Sequence, residues 1–514
     1  MKLFGEKLLK NSTYKYHKDQ TEYLNLNLKE NIKKIHMNLG ESNDLVIRDI
    51  KLEDKNEIDI AIIYIEGLTD TVSIQNHIIE PLLLEKKKIV KAISSGENIL
   101  SAIKNNFLSV SNLSEIENFD ELYDALLSGN TILLINRFKQ GLIAGTSGGE
   151  KRGVQESTSQ AVIRGPKDGF TENIRVNTAL IRRRIKSPNL WLENLTIGIE
   201  TQTNVSIMYI NGIVNNSLVK EVKTRLKKIQ IDGILESGQI EELIQDKTYT
   251  PFPTIYNTER PDVIAAGLLE GRIAILIDGT PFILLVPALF VQFLQSPEDY
   301  YQRSDFGLIR ILRYMSLFTA LIAPSFYIAI TSFHQEMIPP PLLMSLAAQR
   351  EGVPFPAFIE ALIMEIAFEV LREAGIRMPR AIGQTVSIVG ALVIGQAAVE
   401  AGLISAAMVI VVSITAICNF TIPSFNMGIA IRISRFGFIL LAGSFGMFGI
   451  IVGIFFLFLH LCSLQSFGIP YMTPLAPFSI KEQQDTLIRL PIWKILTRPR
   501  FLNSKNKKRQ RNSR

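Results

Sequence analysis

Four glutamates, Glu360, Glu365, Glu369 and Glu373, interrupt the otherwise apolar run PFPAFIEALIMEIAFEVLRE at residues 354–373. On a helix that advances about 100° per residue, Glu365, Glu369 and Glu373 form one stripe and Glu360 lies on the far side. A carboxylate at membrane depth is costly and is ordinarily turned toward protein or water. A stripe of three, repeated around an oligomer, would draw cations into a path, so Glu365, Glu369 and Glu373 are the candidate ion path. The same spacing suits an amphipathic helix lying on a membrane surface with its glutamates solvated. The residues alone leave both readings open.

The other constellations carry less chemistry. GTSGGEKRG (145–153) is glycine-rich like a phosphate loop but lacks the GxxxxGK[ST] spacing, because Glu150 precedes Lys151 and Arg152 follows it; it reads as a linker. Arg182, Arg183 and Arg184, within TENIRVNTALIRRRIK (171–186), are a candidate contact for an anionic surface. A solvated helix face or ion pairs between lobes is the alternative for them. The five histidines have no metal-ligand spacing, and no GxSxG nucleophile motif is present. No catalytic residue, cofactor or metal is therefore expected, and the chain does not read as an enzyme. Cys418 and Cys462 are the only cysteines and both lie in apolar segments, which excludes a disulfide-stapled module.

The elements that must position these groups fall into two kinds. Residues 1–270 are rich in Lys, Glu, Asp and Asn, whereas 314–463 contain long apolar runs. Candidate membrane helices are 314–333, 355–371, 381–399, 403–422 and 436–461, each near the ~20 residues that cross hydrocarbon. Lys and Arg in the connections alternate 3, 1, 3, 0, 2 along the chain. That pattern fits five crossings with a cytoplasmic N-terminus, and taking 355–371 as re-entrant or interfacial gives four. Gly390 and Gly395 are candidate helix-packing residues, because small side chains let membrane helices approach closely. The net charge is +6, yet residues 481–514 hold eleven Lys/Arg against Glu482 and Asp485, a net +9 that leaves −3 for the rest. The basic balance thus belongs to the tail and does not point to nucleic acid; beside it, Trp493 and Phe501 suit an anionic lipid surface, and a disordered tail fits the composition equally.

The polar part contains a repeat. EIDIAIIYIEGL (57–68) and NVSIMYINGI (204–213) each lead into a helical pattern, and LYDALLSGNTILLINRFKQGLIAG (122–145) matches VIAAGLLEGRIAILIDGTPFILLV (263–286). Tyr64 and Tyr209 correspond, as do Gly129 and Gly271. The repeat makes 271–277 and 282–286 strands of a hairpin turning at Asp278-Gly279, too short to cross a bilayer. The expected fold class is an α/β soluble N-terminal region of two similar lobes, followed by an α-helical multi-pass membrane domain and a basic C-terminal tail. Its parts are a flexible arm (1–39), lobe 1 (40–150), a linker with the basic helix (151–189), lobe 2 (190–287), an interfacial segment (288–313), four or five membrane helices (314–463) and the tail (464–514).

RGPKDGFTENIRVNTALIRRRI (164–185), GRIAILIDGTPFILLVP (271–287), FVQFLQSPEDYYQR (290–303) and PRAIGQTVSIVGALVIGQAAVEAGLIS (379–405) resemble signatures of the A subunit of GerA-type spore germination receptors, and the likeness runs over roughly residues 40–500. The resemblance implies a multi-pass subunit of a nutrient-sensing receptor in the inner membrane of the endospore, with its N-terminal region on the cytoplasmic side. It implies a transporter-like B subunit and a lipoprotein C subunit as partners, and homo-oligomerisation into a nutrient-gated cation channel. The alternatives are a membrane-anchored scaffold subunit without a pore, and a secondary transporter. The transporter would call for an inverted repeat in the membrane part, and the visible repeat lies in the soluble part.

Overall fold

The computed structural model describes residues 22–53, 58–86, 100, 103–110, 112–148, 157, 160, 162–301, 307–377 and 395–510. They divide into two units, one drawn from 1–245, 255–287 and 495–514, the other from 246–254 and 288–494.

The first unit is built on two antiparallel five-stranded sheets. Strands β1 (Leu45–Glu53), β2 (Ile58–Ile65), β3 (Leu113–Ile116), β4 (Thr131–Ile135) and β5 (Gly141–Ala144) pair in the order β1-β2-β4-β5-β3. Strands β6 (Leu190–Ile197), β7 (Thr203–Ile210), β8 (Tyr256–Thr258), β9 (Ile273–Ile277) and β10 (Ile283–Val286) pair in the order β6-β7-β9-β10-β8. The two orders are the same, and Tyr64 and Tyr209 stand on β2 and β7. The β9–β10 turn carries Asp278 and Gly279, as the Asp-Gly signal requires.

The strands read as unbroken apolar runs because helical segments cover both faces. On β2, Ala61, Ile63 and Ile65 pack with α1 (Leu28–Asn38) and α2 (Phe119–Leu127), while Ile60 and Ile62 pack with Ile74, Ile78 and Leu82 of the helical stretch at 71–84. The basic helix is α3 (Ile174–Arg184); lobe 2 adds α4 (Asn216–Lys227), α5 (Ser237–Ile244) and α6 (Pro261–Glu270). Asn27, Asn118, Asn173 and Asn215 start α1, α2, α3 and α4, their side-chain oxygens accepting early helical N–H groups.

The two lobes are fastened at the edge of β6. Leu192 N–H donates to Ser42 Oγ (3.1 Å) and Asn194 N–H to Asn43 Oδ1 (3.1 Å), so backbone groups of an edge strand find partners in lobe 1. Trp191 donates its indole N–H to the Asn38 carbonyl (3.2 Å) and lies across Gly40. Gly40 has φ +66°, and a Cβ there would sit inside the indole ring.

Part of the basic tail packs on this unit. Lys505 N–H donates to the Ile213 carbonyl (3.0 Å), Arg498 Nε to the Leu269 carbonyl (2.7 Å), and Leu502 is 1% exposed. An apolar anchor and backbone hydrogen bonds hold 495–510, where the sequence left a lipid-docked and a disordered tail equally open.

The second unit contains α7 (Ile309–Ser332), α8 (Pro340–Arg350), α9 (Ala357–Arg377), α10 (Ala406–Phe420) and α11 (Phe425–Ser463). Among the described residues, α7 (24 residues) and α11 (39 residues) are long and apolar enough to cross a membrane. The expected single helix at 436–461 is instead part of a folded-back element. Inside α11, Gly446 departs from helical geometry (φ 59°, ψ −137°). Positions 438 and 453 of a straight helix stand about 22 Å apart along the axis, yet a Cβ on Gly453 would lie 2.9 Å from the Phe438 ring, and one on Gly449 would meet the Leu441 carbonyl. The chain therefore reverses at Gly446, and 425–445 packs on 447–463 across the small faces of Gly449 and Gly453. Most of 381–399, Gly390 included, lies outside the described residues; Gly395 faces Val409 of α10 at ordinary contact distance (3.5 Å to an added Cβ). Residues 288–294, expected to lie at an interface, are buried, with Phe290 and Phe293 against Tyr471.

Gly40→Ala is expected to lower the stability of the first unit by about 2–4 kcal/mol, combining left-handed backbone strain with displacement of Trp191. The check is a thermal melt of the full chain in detergent, followed through near-ultraviolet circular dichroism.

Candidate functional site

Helix α9 carries the four glutamates, and the structure gives an arginine to each. Both oxygens of Glu365 accept from Arg435 Nη1 (2.9 and 2.7 Å), and the two side chains are 1% and 2% exposed. One turn on, Glu369 Oε2 accepts from Arg432 Nη1 (3.1 Å) with its side chain 31% exposed. Glu373 pairs with Arg377 of its own helix (2.6 Å) and is 60% exposed. Glu360, on the opposite side, is fully buried. Its Oε2 accepts from the Ser405 N–H (2.9 Å) and hydroxyl (2.7 Å) at the start of α10, and its Oε1 stands 3.5 Å from Arg350 Nε of α8.

The spacing explains the register. Glu365 and Glu369 are i,i+4 on α9; Arg432 and Arg435 are i,i+3 on α11; residues so spaced lie on one helix face. Running antiparallel, the two helices match 365 to 435 and 369 to 432, while Arg372 lies over the Phe425 ring (5.6 Å) and Phe358 packs where Gly443 leaves room. Burying either charge alone would cost several kcal/mol; pairing them makes the contact neutral. Several polar atoms of the ladder, among them Glu360 Oε1, Glu369 Oε1 and Arg435 Nε, make no further hydrogen bond among the described residues.

Sequence reasoning found the glutamates and missed the arginines. Arg432 and Arg435 counted as cations of the connection before a helix at 436–461, whereas both lie inside α11. The signal was available: two arginines one turn apart at the edge of an apolar run match two glutamates one turn apart.

The arginines of α3 separate from one another. Arg182, expected among the contacts to an anionic surface, is 1% exposed and clamps the buried Asp44, with Nη2 donating to Oδ1 at 2.8 Å and Nη1 to the Leu190 carbonyl at 3.1 Å. Helical periodicity turns it inward with Thr178 and Ile181. Arg184 is held by Asp168 (2.5 Å), and Arg183 stays exposed, donating to the Gly148 carbonyl (3.0 Å).

Residues 33–501 match the family model described as Bacillus/Clostridium GerA spore germination protein. The chain belongs to the GerA family of spore germination proteins. Among GerA relatives, spore germination protein KA of Bacillus subtilis (strain 168) is 49% identical over 494 residues, covering 96% of this chain and 90% of that one. Spore germination protein GerLA of Bacillus cereus is 40% identical, covering 93% and 96%. The crystal structure of the N-terminal domain of the A subunit of the Bacillus megaterium spore germinant receptor GerK3 is 42% identical, covers 53% of this chain and all of that one, and superposes with a TM-score of 0.40.

Arg182→Ala should destabilise the first unit by about 3–5 kcal/mol, because it strands the buried Asp44 carboxylate. Arg183→Ala, on the exposed side of the same helix, should stay within about 0.5 kcal/mol of the parent. Paired thermal melts of the two variants decide it, and equal losses would contradict the inward placement of Arg182.

Proposed function

We propose that this GerA-family chain is the membrane subunit of a nutrient-sensing receptor that triggers spore germination, and that it assembles as a homo-oligomer around a cation path. It works in the inner membrane of the endospore, beside a transporter-like B subunit and a lipoprotein C subunit. The N-terminal region and residues 495–510 belong to one unit, which supports an even number of crossings with both on the cytoplasmic side.

The observation that carries the reading is the graded ladder on α9. Its innermost rung, Glu365–Arg435, is closed and neutral, whereas Glu369 and Glu373 open progressively to the surface. In this reading Glu365 holds α9 in place, and Glu373, with the half-buried Glu369 one turn before it, lines the path, repeated in each copy around the axis. A cation-attracting ring needs no free carboxylate inside the protomer; it needs carboxylates at the protomer surface, which is where Glu373 stands.

The second reading, a membrane-anchored scaffold without a pore, is favoured by the same pairing, since every glutamate of α9 has an arginine and could serve packing alone. Nutrient-triggered potassium release from spores separates the two. With Glu369→Gln or Glu373→Gln and receptor levels matched by immunoblot, release should slow about fivefold, as expected when a unit charge ~4 Å from a hydrated cation, worth ~1 kcal/mol, is removed. Unchanged release at unchanged level would favour the scaffold.

A further inference from the structure

The segment after the last membrane helix is packed tightly at one place and uncovered at another. Asp485 is the packed point: its Oδ1 accepts from Arg310 Nη1 (3.0 Å), its carbonyl accepts from the same nitrogen (2.6 Å), and Tyr300 O–H donates to Oδ2 (2.9 Å). Arg310, in the first turn of α7, is itself buried and paired with Asp299 (3.1 Å), and Arg489 donates to the Asp299 carbonyl. These bonds fix the chain around 485–489 level with the start of α7. On either side of it in sequence, large apolar side chains are exposed: Phe478 66%, Ile480 79%, Ile488 43%, Ile492 57% and Trp493 47%.

The exposed surface does not stop at the segment. Leu308, Leu312 and Met315, spaced along one face at the start of α7, are 62%, 55% and 62% exposed. An apolar face on a helix of membrane length, continued by apolar side chains pinned beside its first turn, lies where hydrocarbon gives way to headgroups. The tip chemistry fits that depth. Lys494 Nζ sits 5.0 Å from the centre of the Trp493 ring, an indole with an ammonium beside it, the pair that settles with its ring in the acyl boundary and its charge toward phosphate.

We infer that residues 478–494 form an interfacial anchor, lying in the headgroup–acyl boundary of the bilayer after the last crossing, with Phe478, Ile480, Ile488, Ile492 and Trp493 inserted. The inference rests on the proposed crossing by α7. The anchor holds Asp485, and with it the first turn of α7, at a fixed depth.

The two tryptophans of the chain, Trp191 and Trp493, make the test direct. Full-length protein is reconstituted into phosphatidylglycerol–phosphatidylcholine vesicles whose phosphatidylcholine is brominated either near the glycerol or near the chain end, and its incorporation is checked by flotation. The emission difference between the parent and Trp493→Phe isolates Trp493. It should be quenched about twofold more by the shallow bromines than by the deep ones, as for an indole at the membrane interface. A floating protein whose Trp493 signal neither bromine position quenches overturns the anchor and leaves the crossing intact, as when a protein partner covers the patch. Quenching that survives Trp493→Phe undiminished overturns it as well, and a chain that fails to float overturns both the crossing and the anchor.

Discussion

A charge taken out of water must bring its opposite with it, and the pairing of Glu365 with Arg435 meets that demand between α9 and α11. Two ions almost without solvent exposure hold α9 against the first arm of α11 at one longitudinal register, since a slip by one turn would set glutamate against apolar side chains. Other features follow from that register: Glu369 reaches Arg432, Arg372 covers Phe425, and Phe358 fills the gap at Gly443. The fold-back at Gly446 lies beyond the same contact, so the pair also fixes which part of the long apolar run stands beside α9. Helix contacts in a bilayer gain little from hydrophobicity, because lipid is as apolar as leucine; close packing at glycine and a few polar contacts do the selecting.

The first unit uses the same device where the hydrophobic effect is available. Asp44 and Arg182 lie buried between lobe 1 and α3, and the guanidinium also takes up the Leu190 carbonyl at the start of β6. Around it, the loop at 42–44 supplies acceptors to β6, and Trp191 closes over Gly40. The lobes are thus locked by polar geometry at an edge, while lobe 1 keeps an apolar core on each face of its sheet. Packing of the tail on lobe 2 adds a further restraint, bringing chain that follows α11 back onto lobe 2.

How much of this was legible beforehand follows from the range of each interaction. Strands β2, β7 and β9 could be read because a strand covered on both faces is a continuous apolar run, and the Asp278-Gly279 pair marked the hairpin turn within the apolar run at 275–295. The repeat was legible because both lobes solve the same packing problem with the same strand order. The glutamate stripe was visible as a local pattern, but the partners of Glu365 and Glu369 lie more than sixty residues away, and a charge gives no local sign of being paired. Arg182 beside Arg183 shows the same limit, since adjacent cations in one basic run end on opposite sides of a helix. The reversal inside α11 was hidden because glycine in an apolar run signals close packing as readily as a turn, and only contacts such as Phe438 with Gly453 tell the two apart. Leu502 was likewise lost among the cations that surround it.

The most direct measurement is a charge-swap cycle at the central pair: Glu365→Arg, Arg435→Glu and the double variant, each followed by its level in spore membranes and its melting temperature in detergent. If the pair sets the register, each single variant places two like charges in a dry contact and should lose about 3–5 kcal/mol, while the double variant recovers most of that loss, with a coupling well above the ~0.5 kcal/mol of independent sites. Single variants that melt like the parent, or losses that simply add in the double variant, would contradict the claim that this ion pair holds α9 and α11 in register.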